Sequence, residues 1–453
     1  MIDAAAVRRR RRFVHKVIAA VLALATLVVI GLFARADGDE VTSVPARSAD
    51  SFVDSIGVNV HMHYSPGPYA EVDKVEKAIL EAGIRHVRDY PNNVAALTQL
   101  GESGITLSAI VGSDRLDSWA RPFPVYWSNL EELAPYLSSI ENTNEPNRRG
   151  GQDWPDVMRA QQERIWRTAK ADPRLAEVPI VGPSITRPNA SGEKQGDLGS
   201  HLDWGNIHPY PADRKPEDSR VDKELAAAQR YNVGGKPVLA TETGYHNSAD
   251  SVSEEAAGVY VPRITFHYFN LGIVRTYFYE LIDEGVDEND HQDNYGLVRR
   301  DFTRKPAFTA LKNTIGLLAD PGPAFTPSAL PYRLKGVNAE TNTTLLQKRD
   351  GSYWLAVWQG ASVWDNEARR MLDPAAAALT LSVDDAAGFR VYRPNEGVQA
   401  LQSTTGSTLR FHSSADVTLI EILLVAPAPT PQRPLPESPP PAATRARTDR
   451  RRR

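Results

Sequence analysis

The sequence predicts an α/β fold, a (β/α)8 TIM barrel followed by a small all-β sandwich. Three observations carry this. Between residues 53 and 318 short apolar β-type runs alternate with helical stretches, and eight such units in about 265 residues match the size and rhythm of such a barrel. From about residue 322 the texture changes to alternating apolar and polar runs broken by turn residues such as Asp350-Gly351. A doubly wound open sheet is the rival fold, but it usually brings a Gly-rich phosphate loop after its first strand, and none is present.

The units follow in order. Ile56–Val60 reads as the first strand, with a helix over Glu71–Glu81. Arg85–Asp89 is the second, then a helix over Val94–Leu100; Ile105–Val111 is the third, then a helix near Trp127–Leu133. Leu137–Asn142 is the fourth, followed by a long helix over Trp154–Ala171. Pro179–Gly182, Trp204–Ile207, Pro237–Thr241 and Gly272–Tyr279 supply strands five to eight, and Pro306–Leu317 closes with a helix. These runs are apolar throughout rather than alternating, as expected of parallel strands buried on both faces. The resulting organisation is a leader over 1–36, a linker over 37–51, the barrel over 52–320, the sandwich over 321–425 and a Pro- and Arg-rich tail over 426–453. That tail has too few apolar residues to order itself.

The net charge of -4 over 453 residues hides an asymmetry, because both ends are basic: Arg8–Arg12 and Lys16 in front, Arg445, Arg447 and Arg450–Arg453 behind. The body is therefore acidic, which argues against nucleic acid as a partner. There is no cysteine, so disulfides, thiolate metal sites, a cysteine nucleophile and a lipidated Cys anchor are excluded. Arg8–Arg12, the apolar run Val17–Phe33 and Ala34-Arg35-Ala36 form the three parts of a secretory signal peptide. An uncleaved N-terminal membrane anchor is the alternative, since the run sits at the lower limit of a spanning helix. Either reading places the body outside the cytoplasm, extracellular or at the cell surface.

A barrel of this type carries its active site at the C-terminal ends of its strands. Strand four ends Asn144-Glu145-Pro146-Asn147 and strand seven ends Thr241-Glu242-Thr243-Gly244-Tyr245. Two carboxylates from opposite sides of the ring thus face one mouth. Glycoside hydrolysis needs such a pair: a neutral acid to protonate the leaving oxygen, and an ionised carboxylate to attack the anomeric carbon or to activate water. Arg88, ending strand two, offers a cation to the nucleophile. Strand six ends His208-Pro209-Tyr210, whose phenol can hold it ionised. Tyr279 and Glu280, ending strand eight, offer an aromatic floor and a hydroxyl acceptor, and His61 at the end of strand one is placed for sugar hydroxyls. Glu141 reads as structural. No metal and no organic cofactor is expected.

Asn144-Glu145-Pro146-Asn147 after strand four with Glu242 after strand seven resembles the large clan of retaining (β/α)8 glycoside hydrolases that includes cellulases and β-xylosidases. The Asn-Glu-Pro run is most similar to the β-xylosidase/iduronidase branch. The resemblance implies Glu145 as acid/base, Glu242 as nucleophile and Asn144 as holder of the sugar 2-hydroxyl. Ala240–His246, with Tyr245, Tyr279–Glu284 and Tyr295–Val298 resemble an actinobacterial group of such hydrolases over about residues 52–425. One departure is plain: Tyr277–Tyr279 stands where many clan members carry a Trp beneath the sugar. The expected partner is an oligo- or polysaccharide, and the acidic body points to neutral or basic glycans over polyanionic ones.

Three rival readings fit parts of the sequence. His61-x-His63 suggests a metal-dependent amidohydrolase, but strand five ends Gly182-Pro183-Ser184 without the His such a site needs. No Gly-x-Ser-x-Gly elbow marks an esterase. A non-catalytic glycan-binding or envelope scaffold on a retired hydrolase barrel is the alternative from another class, against which both carboxylates and Asn144 are present. Tyr353, Trp354, Trp358 and Trp364 in the sandwich read as core or barrel-facing residues, with a sugar platform as the other reading.

Overall fold

A computed structural model describes residues 42–112, 123–149, 151–186, 188–218, 220–231 and 234–425. Eight parallel strands form one sheet: β1 (Ile56–Asn59), β2 (His86–Asp89), β3 (Thr106–Ile110), β4 (Leu137–Glu141), β5 (Ile180–Val181), β6 (Gly205–Ile207), β7 (Val238–Thr243) and β8 (Thr276–Phe278). β8 pairs with both β1 and β7, and a parallel bridge between Val181 and Trp204 joins β5 to β6. Gly182 N–H donates to the Trp204 carbonyl at 2.9 Å, so the ring closes. Each of the eight predicted strands is present. Most are shorter at their ends than the apolar runs suggest, with flanking residues such as Val60 and Val111 buried outside the strands, while β7 runs on to Thr243.

The helices owe their places to local chemistry. Asn93 caps Val94–Glu102 by accepting the Ala96 N–H, and Ser253 caps Glu254–Asn270 by accepting that of Ala256. Val72–Ala82 turns its apolar stripe, Val75, Ala78, Ile79 and Ala82, inward, and ends at Gly83 in the left-handed conformation that a side chain disfavours.

The sandwich has a four-stranded and a six-stranded sheet. Strand Tyr353–Gln359 is buried along its whole length, and period-two geometry explains why. Tyr353, Leu355 and Val357 enter the sandwich core, while Trp354, Ala356 and Trp358 join the barrel's core. The two Trp residues of this strand therefore pack against the barrel, and Tyr353 does not. Trp364 is buried as well.

Residues 42–48 lie within the stretch read as a linker, and they have a structural place. Thr42–Pro45 pairs antiparallel with Ala329–Lys335 at the edge of the four-stranded sheet, and Arg47–Ser48 pairs with Thr341–Gln347 at the edge of the six-stranded one. The chain enters the sandwich before it builds the barrel. A seam of buried charge locks the two together: Arg263 on the helix Glu254–Asn270 pairs with Glu217, which also accepts the Trp358 indole N–H at 2.7 Å. Burial favours neutral Glu217, but the Arg263 charge outweighs it and draws the carboxyl below its ordinary range.

Among the described residues no helix is long and apolar enough to cross a membrane. The leader over 1–36 and the tail over 426–453 lie outside the described residues.

Candidate active site

The mouth of the barrel is organised by one cation. Arg88, at the penultimate position of β2, is buried, and its five N–H donors are all engaged. Nε and Nη2 grip Glu141 at 2.7 Å each, Nη1 donates to Glu242 Oε1 and to Asn59 Oδ1 at 2.8 Å, and Nη2 reaches Asn144 Oδ1 at 2.9 Å. The bidentate fork on Glu141 fixes the plane of the guanidinium. Glu141 is wholly buried, and accepts further from Asn206 Nδ2 at 2.9 Å. It is thus the structural partner that its sequence position suggested.

Glu242 points into the mouth from β7. Its Oε1 accepts from Arg88, and its Oε2 accepts the Tyr210 phenol at 2.9 Å. Gly244 follows at φ 144°, and a Cβ there would meet the Tyr279 carbonyl oxygen at 2.8 Å. Glycine therefore lets the ends of β7 and β8 come together.

Glu145 arrives from β4 on a backbone with φ 43°. A residue before proline prefers extended angles, so this left-handed geometry costs about 1–3 kcal/mol that the surroundings must supply. Its N–H donates to Ser184 Oγ at 3.3 Å, and Arg148, one residue beyond Asn147, donates to its Oε2 at 2.9 Å. His208 stands between the carboxylates, with Nδ1 3.0 Å from Glu145 Oε1 and 3.3 Å from Glu242 Oε2. The three ligand atoms lie within 4.8 Å of one another. A metal could be held by this set, but Arg88 and Arg148 already supply its positive charge.

The tautomer of His208 follows from its other nitrogen. Nε2 lies 3.0 Å from Thr241 Oγ1, and that hydroxyl donates to Asn206 Oδ1 at 2.7 Å. Thr241 therefore accepts, and Nε2 carries a hydrogen. Nδ1 and Glu145 Oε1 then share one further proton. Burial disfavours the imidazolium, but Glu242 and Glu145 overcome it and raise the His208 pKa. Burial likewise works against ionised Glu145, yet His208 and Arg148 bring it down to about 2. The two shifts run in opposite directions, so the proton that Glu145 needs as an acid is held jointly with the imidazole beside it.

Of the residues singled out from sequence, Arg88, Asn144, Glu145, His208, Tyr210 and Glu242 converge. Tyr279 lies against Tyr295, with centroids 5.3 Å apart, and against His61 at 5.5 Å. Glu280 is fully buried and accepts the Tyr69 phenol at 2.9 Å. Tyr245 is not brought in: it is buried, with its hydroxyl on the Arg214 carbonyl at 2.7 Å and its ring tilted against Tyr260. Tyr245 lies beyond the end of β7, past Gly244 at φ 144°, where the chain has left the strand. Sequence reasoning missed Arg148, Tyr69 and Tyr295. Tyr295 lies 5.8 Å from Tyr210 by ring centroids, and burial pushes its phenol up to about 12. None of the three follows directly on a strand, which is the signal that found the others.

No family model matches the chain, and no curated protein matches it. Solved structures do. The chain is similar to a family 39 glycoside hydrolase from the gut symbiont Bacteroides cellulosilyticus WH2 (TM-score 0.58, 15% identity, 84% of this chain and 83% of that one). It is similar to a glucosidase from Croceicoccus marinus (TM-score 0.56, 13% identity, 85% and 98%) and to a monomeric β-xylosidase from Caulobacter crescentus CB15 (TM-score 0.54, 15% identity, 85% and 98%). The finer kinship to an actinobacterial group finds no support among these matches. At such identities the likeness is one of architecture, and the chain has the barrel-plus-sandwich fold of these hydrolases.

Proposed function

We propose that this protein is a retaining glycoside hydrolase that cleaves an O-glycosidic bond by double displacement, with Glu242 as nucleophile and Glu145 as acid/base. The observation that carries the reading is the approach of one oxygen of each carboxylate to within 4.8 Å of the other, from opposite sides of the barrel, with one imidazole between them and no room for a bound water in line. Retaining enzymes hold their carboxyl groups about 5–5.5 Å apart, and inverting ones about 6.5–9.5 Å to admit a water. The fold shared with glycoside hydrolases supports the same reading, as does the match of Asn144-Glu145 and Glu242 to β4 and β7.

The chemistry follows from the hydrogen bonds. Arg88 and Tyr210 hold Glu242 ionised and aim it. Asn144 has Oδ1 committed to Arg88, so its Nδ2 is the end left to donate to a sugar hydroxyl. As the leaving oxygen gains charge, the proton shared by His208 Nδ1 and Glu145 passes through Glu145 to that oxygen, while Glu242 closes on the anomeric carbon. The glycosyl ester of Glu242 is neutral, so His208 loses one of the charges that raised its pKa. Glu145 then takes a proton from water, the hydroxide releases the sugar, and Glu242 is ionised again. The substrate is a carbohydrate, and the leader places the action outside the cytoplasm. The scaffold alternative is weakened by the intact, mutually oriented carboxylate pair.

The test is a panel of aryl glycosides, followed by proton NMR of the first anomer released and peptide mass analysis after reaction with a 2-deoxy-2-fluoro glycoside. Retention and a sugar adduct on the peptide holding Glu242 are expected. Inversion, or full activity of a folded Glu242→Gln variant, defeats the proposal.

A further inference from the structure

Beside the catalytic pair lies a second set of polar groups that the reaction scheme does not use. His61, at the top of β1, has its Nε2 3.4 Å from Glu280 Oε2 and 3.6 Å from Glu284 Oε1. Its ring stacks on Tyr64 at 4.5 Å and meets Tyr69 and Tyr279 edge-on. Both imidazole nitrogens are buried without a hydrogen-bond partner, and so is Glu280 Oε1 on a side chain with no exposure at all. The set adjoins the nucleophile, because Tyr279 N–H donates to the Thr243 carbonyl at 2.7 Å and Leu281 N–H to that of Asn59 at 3.0 Å.

Its charge is one-sided. Burial, with His63 and Arg88 nearby, keeps His61 neutral by lowering its pKa to about 3. Burial and the mutual presence of Glu280, Glu284 and Asp283 push the Glu280 carboxyl up, and burial with Asp293 raises Glu284. Arg88 is committed to Glu141 and Glu242, Arg148 to Glu145 and Lys305 to Asp283, while Arg300 donates to the Glu284 backbone carbonyl rather than to its carboxyl. The rim beyond adds exposed Asp287, Glu288 and Asp290.

We propose that His61, Glu280 and Glu284 form an acidic glycone subsite that takes a sugar bearing a protonated amine and rejects a uronic acid. The count of donors carries the choice. An ammonium offers three N–H donors, a hydroxyl one and a carboxylate none. Oxygens of Glu280 and Glu284 stand with His61 Nε2 within 4.8 Å of one another, and Glu280 Oε1 has no partner, so acceptors outnumber the donors that meet them here. An ammonium also returns the charge that burial of two carboxyls lacks, whereas a uronate would bring a third carboxylate among them. The resemblance to a branch containing both xylosidases and iduronidases leaves the charge of the glycone open, and these residues decide it.

The inference rests on the glycosidase reading for the ligand being a sugar, but its test does not depend on turnover. Isothermal titration of the full chain and of Glu242→Gln uses glucosamine and galactosamine, their neutral parents glucose and galactose, and glucuronate. The amino sugars are expected to bind at least tenfold more tightly than their parents, with release of protons detected in buffers of differing ionisation enthalpy, and glucuronate is expected not to bind. Glu280→Gln should erase the preference; Glu284→Gln, on a half-exposed side chain, serves if that variant does not fold. Equal or tighter binding of neutral sugars, binding of glucuronate, binding of none of the sugars, or an unchanged preference in both variants overturns the proposal. Tighter binding of zinc alone, lost in Glu280→Gln, also overturns it and assigns the cluster to a metal. If amino sugars bind but no aryl glycoside is cleaved, the catalytic reading fails while the subsite stands.

Discussion

Replacing Arg88 by methionine separates two jobs that this residue performs. It removes the partner of Glu141, a carboxylate with no exposure to water, and leaves that charge in the interior. Breaking a buried pair from one side costs about 3–5 kcal/mol. Exchanging both members for apolar residues of similar size is often close to neutral, so Arg88→Met/Glu141→Leu should recover part of the loss. The coupling in the double-mutant cycle is then roughly 3 kcal/mol or more. Asn59, Asn144 and Asn206 each lose a partner in the double variant, which sets a residual cost of about 1 kcal/mol per unmet group. Activity follows different logic. Glu242 and Asn144 stay unheld in both variants, so stability returns in part and turnover does not. Urea unfolding of the four proteins, with rates on the best aryl glycoside, reads both quantities. A single variant within about 1 kcal/mol of the parent, or a double variant with parental turnover, refutes the reasoning.

Further expectations concern protons and the seam. Glu145→Gln should lower kcat/KM by about 10²–10⁴-fold on substrates with poor leaving groups, and less on those that need no protonation. Because His208 holds the shared proton at a raised pKa, the alkaline limb of kcat/KM should lie above 6.5 in the parent and move to lower pH in His208→Gln, where the buried carboxyl holds the proton alone; an unmoved limb contradicts the shared-proton scheme. Tyr210→Phe removes a hydrogen bond to a charged group worth about 1.5–3 kcal/mol, so kcat/KM should fall roughly 10- to 150-fold with the fold unchanged. Glu224 is a buried acid whose Oε2 has no partner and whose pKa is pushed from 4.5 up to about 7 by burial. A raised acid costs stability once pH exceeds its unfolded value and reaches the full cost above its folded one. Glu224→Gln should therefore be more stable than the parent at pH 8 by up to about 3 kcal/mol, with the gain vanishing below pH 4.5. Equal differences at both pH values in denaturant melts contradict this.

The barrel was legible because parallel strands buried on both faces leave apolar runs, and the catalytic pair was legible because each member sits directly after such a run. What stayed hidden was set by contacts between distant segments. Nothing local in Tyr69 or Tyr295 says that one will meet Glu280 and the other Tyr210. Arg148 is close to Glu145 in the chain but reaches it only through a short helix that Pro146 begins. Tyr245 misled for the opposite reason: it is near Glu242 in sequence, but the chain leaves the strand at Gly244 and its hydroxyl goes to the Arg214 carbonyl. The state of the proton was least accessible, since it depends on an imidazole from β6 standing between carboxylates from β4 and β7.

The two short strands at 42–48 have a meaning for how the chain folds. Thr42 pairs with Tyr332 and Arg47 with Leu346, so these ladder contacts close over the whole of the barrel sequence. Chain closure over such distances is slow, and it cannot begin before the later partner has been made. During synthesis the first strand segments leave the ribosome long before their edges exist, and they wait beside a barrel that is assembling without them. Closing these ladders fastens residues 42–48 to the sandwich strands at 329–347, across the barrel that lies between them in sequence.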